Sequence, residues 1–108
     1  MAVLSYLEAI NLALEEELRK NKNAFILGED VGKKGGVFKV TAGLYDKFGP
    51  ERVMDSPLTE SAIVGVTVGA AMYGMRPIAE IQFGDFIFPA VNQIICEAAK
   101  IRYRSNND

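Results

Sequence analysis

The chain has 108 residues, a formal net charge of −2 and 49% hydrophobic residues, the proportions of one compact soluble domain. It contains no histidine and one cysteine, which excludes a Ser-His-Asp or Cys-His catalytic unit, a histidine or thiolate metal cage and a disulfide within these residues. The near-neutral balance lacks the basic excess of a nucleic-acid binder, and the cysteine count fits a reducing compartment.

Ser5 and Glu8 have capping-box spacing. Leu7, Ile10, Leu14 and Leu18 recur at helical steps behind them, which predicts a helix over residues 5–21. Ala24 to Leu27 is a short apolar run ending at Gly28 and reads as a buried strand. The glycines from Gly28 to Gly36 mark a loop, and a short helix is expected over residues 41–48, stopped by Gly49 and Pro50. Arg52 to Asp55 reads as a second strand. Thr59 is the expected N-cap of a helix running to Tyr73, with Gly74 ending it. Residues 77–83 read as a third strand. Pro89 suits the first turn of a final helix over residues 88–104, and the polar residues 105–108 read as a loop. Strands alternating with helices predict an α/β fold with a parallel, doubly wound sheet and helices on both faces.

No basic stretch precedes an apolar run at the N-terminus, so no signal peptide is expected. The apolar run from Ala62 to Met75 is too short to cross a bilayer. Its Gly65 and Gly69 are expected to let a buried helix approach its neighbours closely. Between Met54 and Ala99 the one cation is Arg76, against Asp55, Glu60, Glu80, Asp85 and Glu97. Lys100, Arg102 and Arg104 then cluster, as complements to a helix C-terminus.

In open parallel sheets ligands sit beyond the carboxyl ends of the strands. Three segments leave those ends: residues 28–36, 55–60 and 83–86. The glycine loop matches neither established phosphate-binding spacing, and by composition it is a mobile surface loop. Glu29 and Asp30 within it sit at a strand end, where turn chemistry alone can explain them. Glu60 lies in the first turn of an apolar helix. By composition alone, complementing the helix dipole is the favoured explanation of an acid there. Gln82, Phe83, Phe86 and Phe88 follow the third strand, where rings serve as core or as packing for a flat ligand. Cys96, among Ile94, Ile95 and Ala98, reads as a buried structural thiol with no base to activate it.

The runs L-G-E-D-V at 27–31, G-G-V-F-K at 35–39, R-V-M-D-S-P-L-T-E at 52–60 and G-A-A-M-Y-G-M-R-P at 69–77 resemble the beta subunits of 2-oxo acid dehydrogenase E1 enzymes. The runs A-E-I-Q-F-G-D-F-I-F-P-A-V-N-Q at 79–93 and E-A-A-K-I-R-Y-R-S at 97–105 resemble the branched-chain type more than the pyruvate type. The resemblance covers essentially the whole chain. It implies a thiamine diphosphate-binding (pyrimidine-binding) fold and an enzyme that decarboxylates a 2-oxo acid and passes the acyl group to a lipoyl arm on an E2 core. It further implies an alpha-beta heterotetramer in which the alpha subunit holds the diphosphate and Mg²⁺, and the beta subunits hold the aminopyrimidine. The family's G-D-G…N metal motif is absent: Gly84 and Asp85 are followed by Phe86. No metal ligand is therefore expected in this chain.

By the same resemblance, Glu60 is the glutamate that hydrogen-bonds N1′ of the aminopyrimidine. That bond favours the 4′-imino tautomer, which removes the C2 proton. Phe86 corresponds to the aromatic beside the ring, where branched-chain relatives often carry tyrosine. Leu58 and Gln82 correspond to lining positions, and Glu29 to an acid that relays protons between paired sites. Family beta chains continue well beyond residue 108, adding a histidine, the rest of the pyrimidine-binding domain and a C-terminal domain. Residues 1–108 are thus expected to be the N-terminal part of that domain, inactive alone, in a cytoplasmic protein or in the mitochondrial matrix of a eukaryote. Two other readings compete: a pyruvate or acetoin E1 beta subunit, and a non-catalytic assembly module docking subunits through the Gly65/Gly69 helix and the final helix.

Overall fold

The computed structural model describes residues 3–107, so the expected loop at 105–108 is described except for Asp108. Helix α1 spans Tyr6–Lys20. Its capping box closes as the sequence predicts: the Ser5 backbone N–H donates to Glu8 Oε2 at 2.7 Å, and the Glu8 N–H donates to Ser5 Oγ at 3.3 Å. The Ser5 hydroxyl and then the backbone N–H hold the Glu8 carboxyl below its ordinary range.

Strands β1 (Ala24–Gly28), β2 (Val53–Asp55) and β3 (Arg76–Ala79) form a parallel sheet in the order β2-β1-β3. Ile26 pairs with Val53 on one side and Ile78 on the other. Alternation along the strands splits the core in two. Ala24, Ile26 and Val53 face a cluster with Leu18, Val31 and Leu44, which brings α1 and α2 (Leu44–Phe48) onto one face. Phe25 and Leu27 face Ile63, with Met54 and Ala70 packed beside them, which puts α3 (Glu60–Met72) on the other. Every residue of β1 is buried, as a strand covered on both faces must be. The doubly wound architecture expected from the element order is present. Pro77 sits in β3, which pairs with β1 alone, where a missing N–H costs no inner ladder bond.

Four local expectations are corrected. The third strand ends at Ala79 instead of reaching Phe83. The helix over 41–48 begins at Leu44, because Lys39 and Gly43 take left-handed backbone angles of φ 64° and 78° that break a helix. Thr59 precedes α3 but its side chain makes no capping bond. The single helix over 88–104 is three pieces: a 3₁₀ helix over Gly84–Ala90, a π-helical segment over Gln93–Ala98 and α4 over Ile101–Arg104. Pro89 lies inside the first piece and removes one donor. In the second, Ala99 N–H reaches back five residues to Ile94 O, and that wider turn ends the helical register.

Helix α3 is only partly buried: Ile63, Val64 and Thr67 face inward, while Val66 is 55% exposed. Gly65 faces the Gln93 side chain as the close-approach argument requires, but nothing lies within 4 Å of where a Gly69 side chain would begin. Cys96 is half-buried instead of buried. The basic cluster falls where expected, with Arg102 and Arg104 in the last turn of α4; the Arg104 guanidinium also pairs with Glu97 and donates to Cys96 O.

Candidate functional site

Parallel pairing carries the carboxyl ends of all three strands to one edge. Ser56 N–H donates to Gly28 O at 2.9 Å, and Glu80 N–H to Leu27 O at 2.9 Å, so the chain leaves β2 and β3 beside the end of β1. Close packing at Gly28 enforces this convergence. A side-chain carbon there would lie 2.8 Å from both Glu80 Cβ and Val31 Cγ1. Gly28→Ala in the full-length chain is expected to lower stability by about 1–3 kcal/mol, the usual cost of overpacking, read as a reduced urea midpoint. An unchanged midpoint would show that the strand ends are loosely held.

Hydrogen bonds tie the glycine loop to its surroundings. Gly32 N–H donates to Asp55 Oδ1 at 2.7 Å, Thr41 Oγ1 donates to Val31 O at 2.7 Å, and Asn11 Nδ2 donates to Val40 O at 2.6 Å. Gly36 N–H closes onto Asp30 O at 2.8 Å, with Asp30 at φ 59°. Gly32, Gly35 and Gly36 are buried, and the loop forms a fixed wall at the end of β1.

Glu29 is 7% exposed, and its Oε1 is buried without a hydrogen-bond partner among the described residues. Gln82 Nε2 donates to Glu29 O at 3.3 Å, which brings two of the candidate residues together. Glu60, the first residue of α3, is 8% exposed, and its carboxylate makes no hydrogen bond among the described residues.

Phe83 packs edge-on against Phe86 at 5.2 Å between centroids and against Phe38 at 5.4 Å. The three rings stay partly exposed, leaving aromatic surface available to a flat ligand. Leu58 is 80% exposed. The sequence reading missed two participants. Phe38 comes from the glycine loop, and no local pattern links it to Phe83. Glu80 has a buried, unpartnered Oε2, and burial followed by the Glu29 and Asp30 charges pushes its carboxyl above the usual range. An acid between Ala79 and Ile81, at the end of an apolar strand, was the available signal.

Among the described residues no three acidic or cysteine side chains could hold a metal ion, and no helix is long and apolar enough to cross a membrane. A cleft of about 820 Å³ lies away from the strand ends between α3 and α4, lined by Val68, Met72, Ala98 and Ile101.

A parallel α/β layer with carboxylates and aromatic rings at the carboxyl edge of its strands is the arrangement at which open α/β sheets place ligands. The pattern of the family described as transketolase, pyrimidine binding domain, matches residues 2–107, and the chain belongs to that family. It is 74% identical over its full length to the 2-oxoisovalerate dehydrogenase subunit beta of Bacillus subtilis, covering 33% of that protein. It is 51% identical over 97% of its length to the pyruvate dehydrogenase E1 component subunit beta of Acholeplasma laidlawii, covering 32% of it. It is 45% identical over 97% of its length to the 2-oxoisovalerate dehydrogenase subunit beta of Pseudomonas aeruginosa, covering 30%. The chain thus spans about a third of the length of these curated relatives.

Proposed function

We propose that these residues form the N-terminal part of the pyrimidine-binding domain in the beta subunit of a thiamine diphosphate-dependent, branched-chain 2-oxo acid dehydrogenase. The observation that carries the reading is identity: 74% to a 2-oxoisovalerate dehydrogenase beta subunit, against 51% to a pyruvate-type one. The site residues fit the cofactor. A carboxylate without a protein partner suits a ring nitrogen that must share a proton, and exposed aromatic faces suit a heteroaromatic ring.

Bound thiamine diphosphate supplies the carbanion chemistry that decarboxylates a 2-oxo acid. The residues of this chain hold and orient it. Glu60 holds a proton against N1′ of the aminopyrimidine. Phe86, braced by Phe83, packs against the ring. Gln82 and Leu58 line the crevice, and Glu29 lies behind it as a proton-handling acid. Diphosphate and Mg²⁺ belong to an alpha subunit, and the acyl group passes to a lipoyl-bearing E2 core. Contact with the alpha subunit and a second beta subunit would cover the apolar surface left open at Val66, Tyr73, Phe88 and Tyr103. Residues 1–108 alone are inactive in this reading. The protein acts in the bacterial cytoplasm or, in a eukaryote, in the mitochondrial matrix.

The test is the full-length beta chain assembled with its alpha partner and titrated with thiamine diphosphate. It is then assayed on 2-oxoisovalerate and pyruvate. Cofactor binding with preference for the branched substrate is expected. A preference for pyruvate would move the assignment to the pyruvate type, and absence of cofactor binding would end it.

A further inference from the structure

We propose that Phe38 is a positioning residue for the aromatic wall of the crevice: acting through Phe83, it holds the Phe86 ring in place. The geometry is a chain of three rings. Phe38 meets Phe83 edge-on, with centroids 5.4 Å apart and planes at 73°, and Phe83 meets Phe86 at 5.2 Å and 63°. In such arrangements the positive rim of one ring meets the negative face of the next. Phe83 and Phe86 come from one turn, closed by the Phe86 N–H donating to Phe83 O at 2.9 Å. A 3₁₀ turn sets side chains three residues apart above one another, so that pair is local. Phe38 arrives from the glycine loop, a separate segment.

The turn that carries Phe83 and Phe86 has little support of its own. Within Gly84–Ala90 the one buried residue is Ala90. Hydrogen-bond geometry is poorer in a 3₁₀ turn than in an α-helix. Nothing lies within 4 Å of where a Gly84 side chain would begin, so no packing props the turn on that side. The loop is held differently. Gly36 at φ 83° and Lys39 at φ 64° bracket Phe38, and Lys39 N–H donates to Gly36 O at 3.1 Å. Gly36 N–H donates to Asp30 O at 2.8 Å, and Thr41 N–H to Gly35 O at 3.1 Å. Asn11 Nδ2, on α1, donates to Val40 O at 2.6 Å and Ala42 O at 3.2 Å. These bonds tie the chain on both sides of Phe38, and none of them involves residues 83–90. Phe38 itself is 56% exposed, so its ring adds little to the core; what it does is meet Phe83.

The bearing on thiamine diphosphate rests on the function proposed above. A ring already in place when the ligand arrives binds without an ordering cost, and a ring that must first be ordered gives up affinity. Phe38 exerts this effect without touching the cofactor.

The experiment uses the full-length beta chain assembled with its alpha partner. Affinity is measured for thiamine diphosphate and for inorganic pyrophosphate, which lacks the aminopyrimidine. Phe38→Leu should weaken thiamine diphosphate binding by about 3- to 10-fold, the worth of one edge-to-face contact. Pyrophosphate affinity and the thermal midpoint should keep their wild-type values. Phe38→Tyr, which restores a ring, should recover the wild-type cofactor affinity. In a Phe86→Leu background, Phe38→Leu should have no further effect, because the ring it positions is gone. Unchanged thiamine diphosphate affinity in Phe38→Leu overturns the role. An equal loss for pyrophosphate also overturns it, as the mark of a generally loosened fold. An undiminished loss in the Phe86→Leu background overturns it too, by showing that Phe38 does not act through Phe86. Each of these results leaves the functional reading standing. A wild-type assembly that binds no thiamine diphosphate instead defeats that reading, and the role of Phe38 with it.

Discussion

Glu60→Gln in the assembled full-length enzyme should lower the rate of 2-oxo acid decarboxylation by about 10²- to 10⁴-fold, the range for losing a positioned proton-transfer group. Glutamine keeps the length and shape of the side chain, so packing at the start of α3 survives. What disappears is the ability to hold a proton against the ring nitrogen. Because Glu60 is 8% exposed and makes no hydrogen bond among the described residues, the native side chain has no structural duty that the amide fails to perform. The thermal midpoint should therefore stay close to the wild-type value while turnover collapses. Turnover near the wild-type rate, with thiamine diphosphate bound, would remove Glu60 from the mechanism and return it to the role of a helix-start acid. It would also favour the assembly-module reading.

Arg52→Met should destabilise the full-length chain by about 3 kcal/mol, measured as a lowered urea midpoint with an unchanged slope. The Arg52 guanidinium donates to Leu18 O at 2.9 Å and Asn21 O at 2.8 Å through Nη2, and to Ala24 O through Nε. Those carbonyls are the open end of α1 and the start of β1, where the helix can no longer supply donors. Each charged bond is worth roughly 1.5–3 kcal/mol, and the three are not additive, because they share one side chain. Methionine keeps most of the stem's packing and supplies no donor. An unchanged midpoint would mean that water replaces the guanidinium without penalty and that this junction is not a stabilising clamp.

Much of the fold was legible because its signals are local. Ser5 and Glu8 announce a capping box by spacing alone, and the box closes. The continuous apolar run at Ala24 to Leu27 marks a strand covered on both sides, and it is the central one. The broken final helix was not legible. Pro89 at a first turn is compatible with an α-helix, and the widened turn at Ile94 to Ala99 has no marker in composition. Arg52 was equally silent, since its three acceptors lie as many as 34 residues away in sequence.

The candidate site divides along the same line. Glu60, Phe86, Gln82 and Glu29 were singled out by their places after the strands, and Leu58 by motif resemblance, and neither signal carries geometry. Burial of Glu60 and Glu29, the Gln82 contact to Glu29 O and the exposure of Leu58 came only with the fold. The amino-acid sequence by itself determined the alternation of elements, the parallel sheet and the edge at which chemistry must lie. Periodicity and capping are properties of neighbouring residues, and parallel topology follows from their order. Only the tertiary structure decided that Glu80 packs beside Gly28, that Phe38 reaches Phe83, and that hydrogen bonds tie down the glycine loop. Each of those is a contact between separate strands or loops. Such contacts depend on register and close approach at positions such as Gly28, where no local pattern records which side chain will arrive.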